Sequence, residues 1–157
     1  MNKPYEYIKC ARCKESKHYA EFNKNNKNAT GFAYNCKSCK QDHERMHRRT
    51  PLGIITQMYK HQVESSKNRG HEKPSYTKKE LKQYVLCHES FKDLYNDYVN
   101  SGYDRMNIPS IDRVDSSKGY SMDNIQLVTL QVNIQNNVKD MTGVSVMSRT
   151  HEKNKKK

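Results

Sequence analysis

The chain has 157 residues with 29 Lys plus Arg against 17 Asp plus Glu, a formal net charge of +12, and no Trp. Only 33% of residues are hydrophobic and mean hydropathy is −1.16, a thin supply for one large core, so another staple is expected. No apolar run reaches the roughly 18 residues of a membrane span. The opening Met1-Asn2-Lys3-Pro4-Tyr5-Glu6 has no apolar signal stretch, so a reducing cytoplasm and no membrane partner are expected. A basic chain of this kind most often meets nucleic acid.

The charge is uneven. Residues 1–50 carry 12 basic and five acidic side chains, net +7, and residues 51–100 are net +2. Residues 101–148 are net −1, and the last nine residues add +4. Basic ends around a near-neutral segment suit phosphate binding outside and hard-metal chemistry inside, where carboxylates must survive in a positive field. A merely solvated lysine-rich surface is the plainer alternative.

Four of the five cysteines form two pairs, Cys10-Ala-Arg-Cys13 and Cys36-Lys-Ser-Cys39, with 22 residues between. Two such pairs predict a four-thiolate structural zinc site. The two-residue spacer lets the backbone fold into a knuckle aiming both sulfurs at one ion, and soft thiolates favour Zn²⁺ over Mg²⁺ or Ca²⁺. Disulfides are disfavoured by the reducing compartment. Phe22, Phe32 and Tyr34 flank the polar run Asn23–Asn28, which reads as a hairpin tip between short strands. Lys40–Arg49 then reads as a helix bounded by Pro51. A knuckle, a hairpin and a second cysteine pair entering a helix resembles a treble-clef or zinc-ribbon module. His43 and His47 are spare candidates for ligation, more readily read as exposed or phosphate-facing, and Cys87 is read as a half-buried helix residue.

Residues 51–103 read as a helical connector. Leu52, Ile55, Met58, Tyr59, Val63 and Ser66 form a helical stripe after Pro51, closed near Gly70. Thr77-Lys-Lys-Glu80 is a capping box for a second helix bearing Leu81, Tyr84 and Val85. Phe91, Leu94, Tyr95, Tyr98 and Val99 make a third stripe, closed by Gly102. Basic residues gather around the first connecting loop, where Lys67 and Arg69 are candidates for DNA backbone contact. A solvated turn is the competing reading.

The block from Pro109 to Asn137 reads as a strand, a Gly-containing turn, a second strand with Ile125 and Leu127, and a helix capped by Thr129. Asp112 falls on the first strand, and Asn133 and Asn136 fall three apart on the helix, so they can share one side. A carboxylate and a side-chain amide from facing elements can hold one hard divalent cation.

Here the chain resembles the HNH, or ββα-metal (His-Me finger), endonucleases, closest to a phage-type group, over residues 105–139. The motif stands as Pro109-Ser-Ile-Asp112-Arg113, Lys118-Gly119-Tyr120, Asp123-Asn124-Ile-Gln-Leu-Val-Thr129 and Asn133. The resemblance implies that Asp112 binds the metal, that Asn124 braces the loop, and that Asn133, or nearby Asn136, completes the metal site. Those enzymes carry a general-base histidine where this chain has Arg113. A guanidinium holds its proton at working pH and cannot be a base, though it can clamp phosphate. Asp115, His71, His88 or metal-bound hydroxide would have to take the proton.

The expected architecture is therefore α+β: a zinc-binding module at 1–50, a helical connector at 51–103, a ββα-metal unit at 104–143 and a basic tail at 144–157. The expected function is metal-dependent hydrolysis of DNA by nicking or double-strand cutting. Structural Zn²⁺ sits on Cys10, Cys13, Cys36 and Cys39. Catalytic Mg²⁺ or Mn²⁺ sits on Asp112 with Asn133 or Asn136. Asp112, Arg113, Asn124 and Asn133 form the catalytic set, and Lys67, Arg69 and Lys118 contact DNA. The resemblance further suggests homing-type specificity, or cleavage of phage or host DNA in a host cytoplasm. No small-molecule substrate is expected, and a monomer is favoured because one metal unit attacks one strand. The alternatives are a catalytically degenerate zinc-containing DNA-binding protein and a nucleic-acid tether whose C-terminal unit contacts protein.

Overall fold

A computed structural model describes residues 6–142, with side chains placed through Lys139; the predicted tail at 144–157 lies outside the described residues. The chain divides into two compact units, Met1–Thr50 and Pro51–Lys157. Among the described residues there are five α-helices and three antiparallel two-stranded sheets. No described helix is long and apolar enough to cross a membrane.

In the first unit, β1 (Tyr7–Lys9) pairs with β2 (Ser16–His18), and β3 (Phe22–Lys24) pairs with β4 (Phe32–Cys36). Helix α1 (Lys37–Arg49) follows β4 directly. It begins three residues before the expected Lys40, because Cys36 already has the extended backbone of an N-cap and the second cysteine pair is drawn into the first turn. Two-stranded sheets are marginal alone. These rest on a core of only Cys10, Phe22, Phe32 and Cys36, flanked by Ile8, Cys13, Tyr19 and Cys39. Half of that inner set is sulfur. His43 and His47 stand exposed on α1.

In the second unit, α2 (Pro51–Asn68), α3 (Lys78–Cys87) and α4 (Glu89–Asn100) pack with β5 (Pro109–Arg113) and β6 (Ile125–Thr129). Helix α5 (Leu130–Thr142) closes the unit against β5 and β6. The core joins Ile54, Ile55, Met58, Leu81, Val85, Phe91 and Tyr98 to Ile111 and Ile125 of the hairpin, so connector and hairpin share one interior. The buried face of α2 runs Ile54, Ile55, Met58, Gln62 and Ser66, whereas Leu52 is exposed. That corrects the expected stripe, since Leu52 in the first turn lies off the face centred on Ile55 and Met58. Cys87, expected half-buried, is exposed because it ends α3 just before His88 turns the chain into α4.

The boundaries follow local chemistry. The Thr77 side chain accepts from the Glu80 backbone N–H at 3.3 Å, and the Glu80 carboxylate accepts from Thr77 N–H at 2.7 Å, completing the capping box. Those Thr77 bonds, backbone first, hold the Glu80 carboxyl below its ordinary range. Helix α4 ends with Gly102 at φ +71°, where Gly102 N–H bonds to Val99 and Tyr103 N–H to Tyr98, a Schellman closure. Removing the cap by Thr77→Ala should lower the stability of this unit by about 1 kcal/mol in urea unfolding. With its folded pKa lowered, Glu80 favours the fold above its unfolded pKa. That contribution should fade as pH falls through the folded value, and the Thr77→Ala penalty should shrink with it.

Candidate functional site

The thiolate cluster comes first in the chain. The sulfurs of Cys10, Cys13, Cys36 and Cys39 lie within 4.8 Å of one another, positioned to hold a metal ion. Cys10 and Cys36 are buried while Cys13 and Cys39 are half-buried. The first knuckle is shaped by Lys14 at φ 65°, whose N–H returns to the Cys10 carbonyl at 3.0 Å. Backbone N–H groups of Arg12 and Cys36 approach Cys10 Sγ at 3.4 and 3.3 Å. Burial pushes the Cys10 thiol up, but backbone hydrogen bonds from Cys36, Cys13 and Arg12 outweigh it and bring it to about 6. Cys36 is likewise lowered, first by the Ser38 hydroxyl. The Cys39 thiol is pushed up to about 12, first by its hydrogen bond with Cys36 and then by burial, so in the metal-free cluster the thiols share protons; four soft donors at this spacing suit structural zinc.

The unit should bind one Zn²⁺ per chain, and Co²⁺ in its place should give a tetrahedral thiolate spectrum. Cys36→Ser or a strong chelator should unfold residues 6–50 by circular dichroism and hydrogen exchange. Acid should act in the same direction. Thiolates hold the ion only when deprotonated, so acid that protonates them should release it and unfold the unit.

The second candidate site lies between β5 and α5. Successive strand residues face opposite sides, and the contacts follow that alternation. Ser110 and Asp112 reach α5, while Ile111 enters the core and Arg113 reaches His71. Asp112 is 8% exposed, with Oδ2 accepting from Asn136 Nδ2 at 2.7 Å and Oδ1 from Arg113 N–H at 2.9 Å. Asn133 does not reach that carboxylate. Its Nδ2 donates to Ser110 Oγ and to the Ile111 carbonyl, both at 2.9 Å, and its Oδ1 accepts from Asn137 at 2.8 Å. Asn137 Oδ1 in turn accepts from Arg69 Nη2 at 3.0 Å. Asp112 and Asn136 therefore stand together, Asn133 fastens the strand, and Arg69 joins the amide network from the end of α2. Lys67 is exposed in the last turn of that helix.

Asn124 is buried beneath the loop between β5 and β6. Its Oδ1 accepts from Asp115 N–H at 2.9 Å, and its Nδ2 donates to the carbonyls of Asp115 and Gly119 at 3.1 and 2.9 Å. One side chain thus satisfies three backbone groups. Asn124→Ala should cost about 1–3 kcal/mol and release the amides of residues 114–124 to faster hydrogen exchange.

The Arg113 guanidinium points away from Asp112, and its Nη1 donates to the carbonyls of Ser116 and Lys118 at 2.6 and 2.9 Å. Among the alternatives for a base, Asp115 is engaged by Ser117 and by Lys118 at 3.2 Å. Ser117, then Lys118, holds its carboxyl below the ordinary range, which weakens it as a proton acceptor. His88 caps α4 through Nδ1 to Ser90 N–H. His71 lies beside Arg113, with Nε2 3.5 Å from Nη1. Sequence reasoning missed Ser110 and Asn137 as organisers of this network. The i, i+2 spacing of Ser110 and Asp112 was the available signal for the first. The chain matches no protein-family model, no curated protein and no solved structure.

Proposed function

We propose that residues 104–143 form an HNH-like, ββα-metal nuclease unit that hydrolyses DNA phosphodiesters with Mg²⁺ or Mn²⁺. The observation that carries the reading is the carboxylate of Asp112, nearly buried between hairpin and helix, with the Asn136 amide 2.7 Å away. Amide nitrogen and oxygen exchange places by a ring-free flip of the side chain. Turned over, Asn136 offers a second hard oxygen at a spacing close to the ~3 Å between neighbouring ligands of a cation bound at about 2.1 Å. The donor set fits such an ion. Asp112 and Asn136 would hold it, and Asn133 stands behind as the clamp on the strand.

Bound there, the ion supplies Lewis acidity at a phosphoryl oxygen and a more acidic water. The chain itself does the positioning. Asn133 fixes the Ile111 carbonyl and with it the direction of Asp112. Asn124 keeps the connecting loop in one conformation, and Lys67, Arg69 and Lys118 neutralise neighbouring phosphates. The four-cysteine unit, with its knuckle, its β3–β4 hairpin and its second pair at the start of α1, is read as a treble-clef-like zinc module.

A second reading, a non-cleaving DNA-binding protein of the same architecture, is favoured by one specific observation. Among the described residues the cysteines are the one converging group of three or more His, Cys, Asp or Glu side chains, so Asp112 is not joined by two further imidazole or carboxylate ligands.

Supercoiled plasmid incubated with the zinc-loaded protein should be nicked on addition of Mg²⁺ or Mn²⁺. Asp112→Ala should abolish the nicking, and Asn136→Ala should raise the metal requirement roughly 10- to 100-fold. Salt-sensitive DNA binding with no metal-dependent nicking, on phage or host DNA as well as plasmid, would replace the nuclease with the binding protein.

A further inference from the structure

On the side of the β5–β6 hairpin opposite Asp112 the fold encloses a positive charge with no carboxylate in ion-pair contact among the described residues. Arg113 is 7% exposed, yet none of the ion pairs among the described residues includes it. Its surroundings are two main-chain carbonyls, the His71 ring and the face of Tyr120, whose centroid is 5.4 Å from Cζ. Carbonyl dipoles and a π face offset part of the cost of burying a guanidinium, but a cation left without an anion remains an unfavourable arrangement.

The residues that surround Arg113 also wall a cleft. His71, Lys118 and Tyr120 line an open pocket of about 330 Å³ together with Lys73, Ser75 and Glu72. Arg113 stands behind that wall, so its field reaches the cleft through protein and not through bulk water. The His71 ring, with Nε2 3.5 Å from Arg113 Nη1, adds a polar edge to the same wall. Lys73 and Lys118 add two ammonium groups, against one acid, Glu72, in the lining. The Lys118–Asp115 pair is exposed and therefore weak enough to yield. Hydroxyls of Ser75, Ser121 and Tyr120 complete a set rich in donors.

We propose that this cleft is a phosphate-binding site, separate from the Asp112 carboxylate, completing the charge of Arg113 from outside. A nucleic-acid strand and a free phosphate ester offer the same group. The inference does not depend on a metal ion at Asp112 or on DNA cleavage.

Calorimetric titration of the intact, zinc-loaded protein with inorganic phosphate, against chloride at constant ionic strength, tests it. Saturable binding is expected, weakened roughly tenfold by Lys73→Gln, a loss of about 1.4 kcal/mol, and more by Lys73→Gln with His71→Ala. Both positions lie outside the core, and melting curves check that the variants fold. Asp112→Ala should bind phosphate as the parent does. Competition by a short DNA duplex would assign the site to strand phosphate, and its failure would assign it to a free ester; either keeps the site. Phosphate indistinguishable from chloride would overturn the proposal. So would binding that survives the Lys73 and His71 changes but is lost in Asp112→Ala, which would place the anion on the other face and leave the nuclease reading untouched.

Discussion

The second unit depends on a row of asparagine amides that ties α5 to β5. A two-stranded hairpin is marginal alone, and the inward residues Ile111 and Ile125 secure only one of its faces. The other face is held by polar contacts: Asn133 to Ser110 and the Ile111 carbonyl, and Asn136 to Asp112. Hydrogen bonds have strict direction and length where apolar packing has neither, so this seam sets the helix at one height along the strand. The same bonds that fasten the helix leave Asp112 nearly enclosed, with an amide against it. A nearly buried carboxylate is unfavourable without partners, so assembly of the fold and assembly of the candidate site are one event.

The first unit solves the opposite problem. It has too little apolar surface to order its chain, and two phenylalanines with two cysteines make up its inner core. A bound ion would supply folding free energy of about 10–16 kcal/mol apparent, which a core of that size cannot. The strands need only bring the sulfurs within reach, which explains why three-residue strands suffice for β1, β2 and β3.

Those parts of the structure governed by local rules were readable from the chain. The cysteine spacing, the Thr77–Glu80 box and the Gly102 closure are each fixed by a few neighbouring residues, and each stands where the pattern put it. The core face of α2 was read only in part. Ile54 and Gln62 are buried and Leu52 is not, because the choice of face belongs to the partners α3 and β5 and not to the helix. The candidate site shows the same division. Strand alternation puts Asp112 towards α5, but which asparagine meets it depends on the height at which the helix docks, a distance no spacing encodes. The contact between His71 and Arg113, 42 positions apart, is tertiary in the same way.

The alternation along β5 has a further consequence for how this sequence can change. Adjacent positions carry opposite charges to opposite sides of a thin hairpin, the acid to the helix and the base to the cleft. A single inserted or deleted residue within Pro109–Arg113 would exchange the two, setting a guanidinium against the Asn136 amide and a carboxylate behind the lysines. The loop between the strands tolerates length variation only as far as Asn124 still meets Asp115 and Gly119. The length of the strand is thus constrained apart from the identity of its side chains, and the five residues of β5 behave as a fixed ruler between two chemically opposed surfaces.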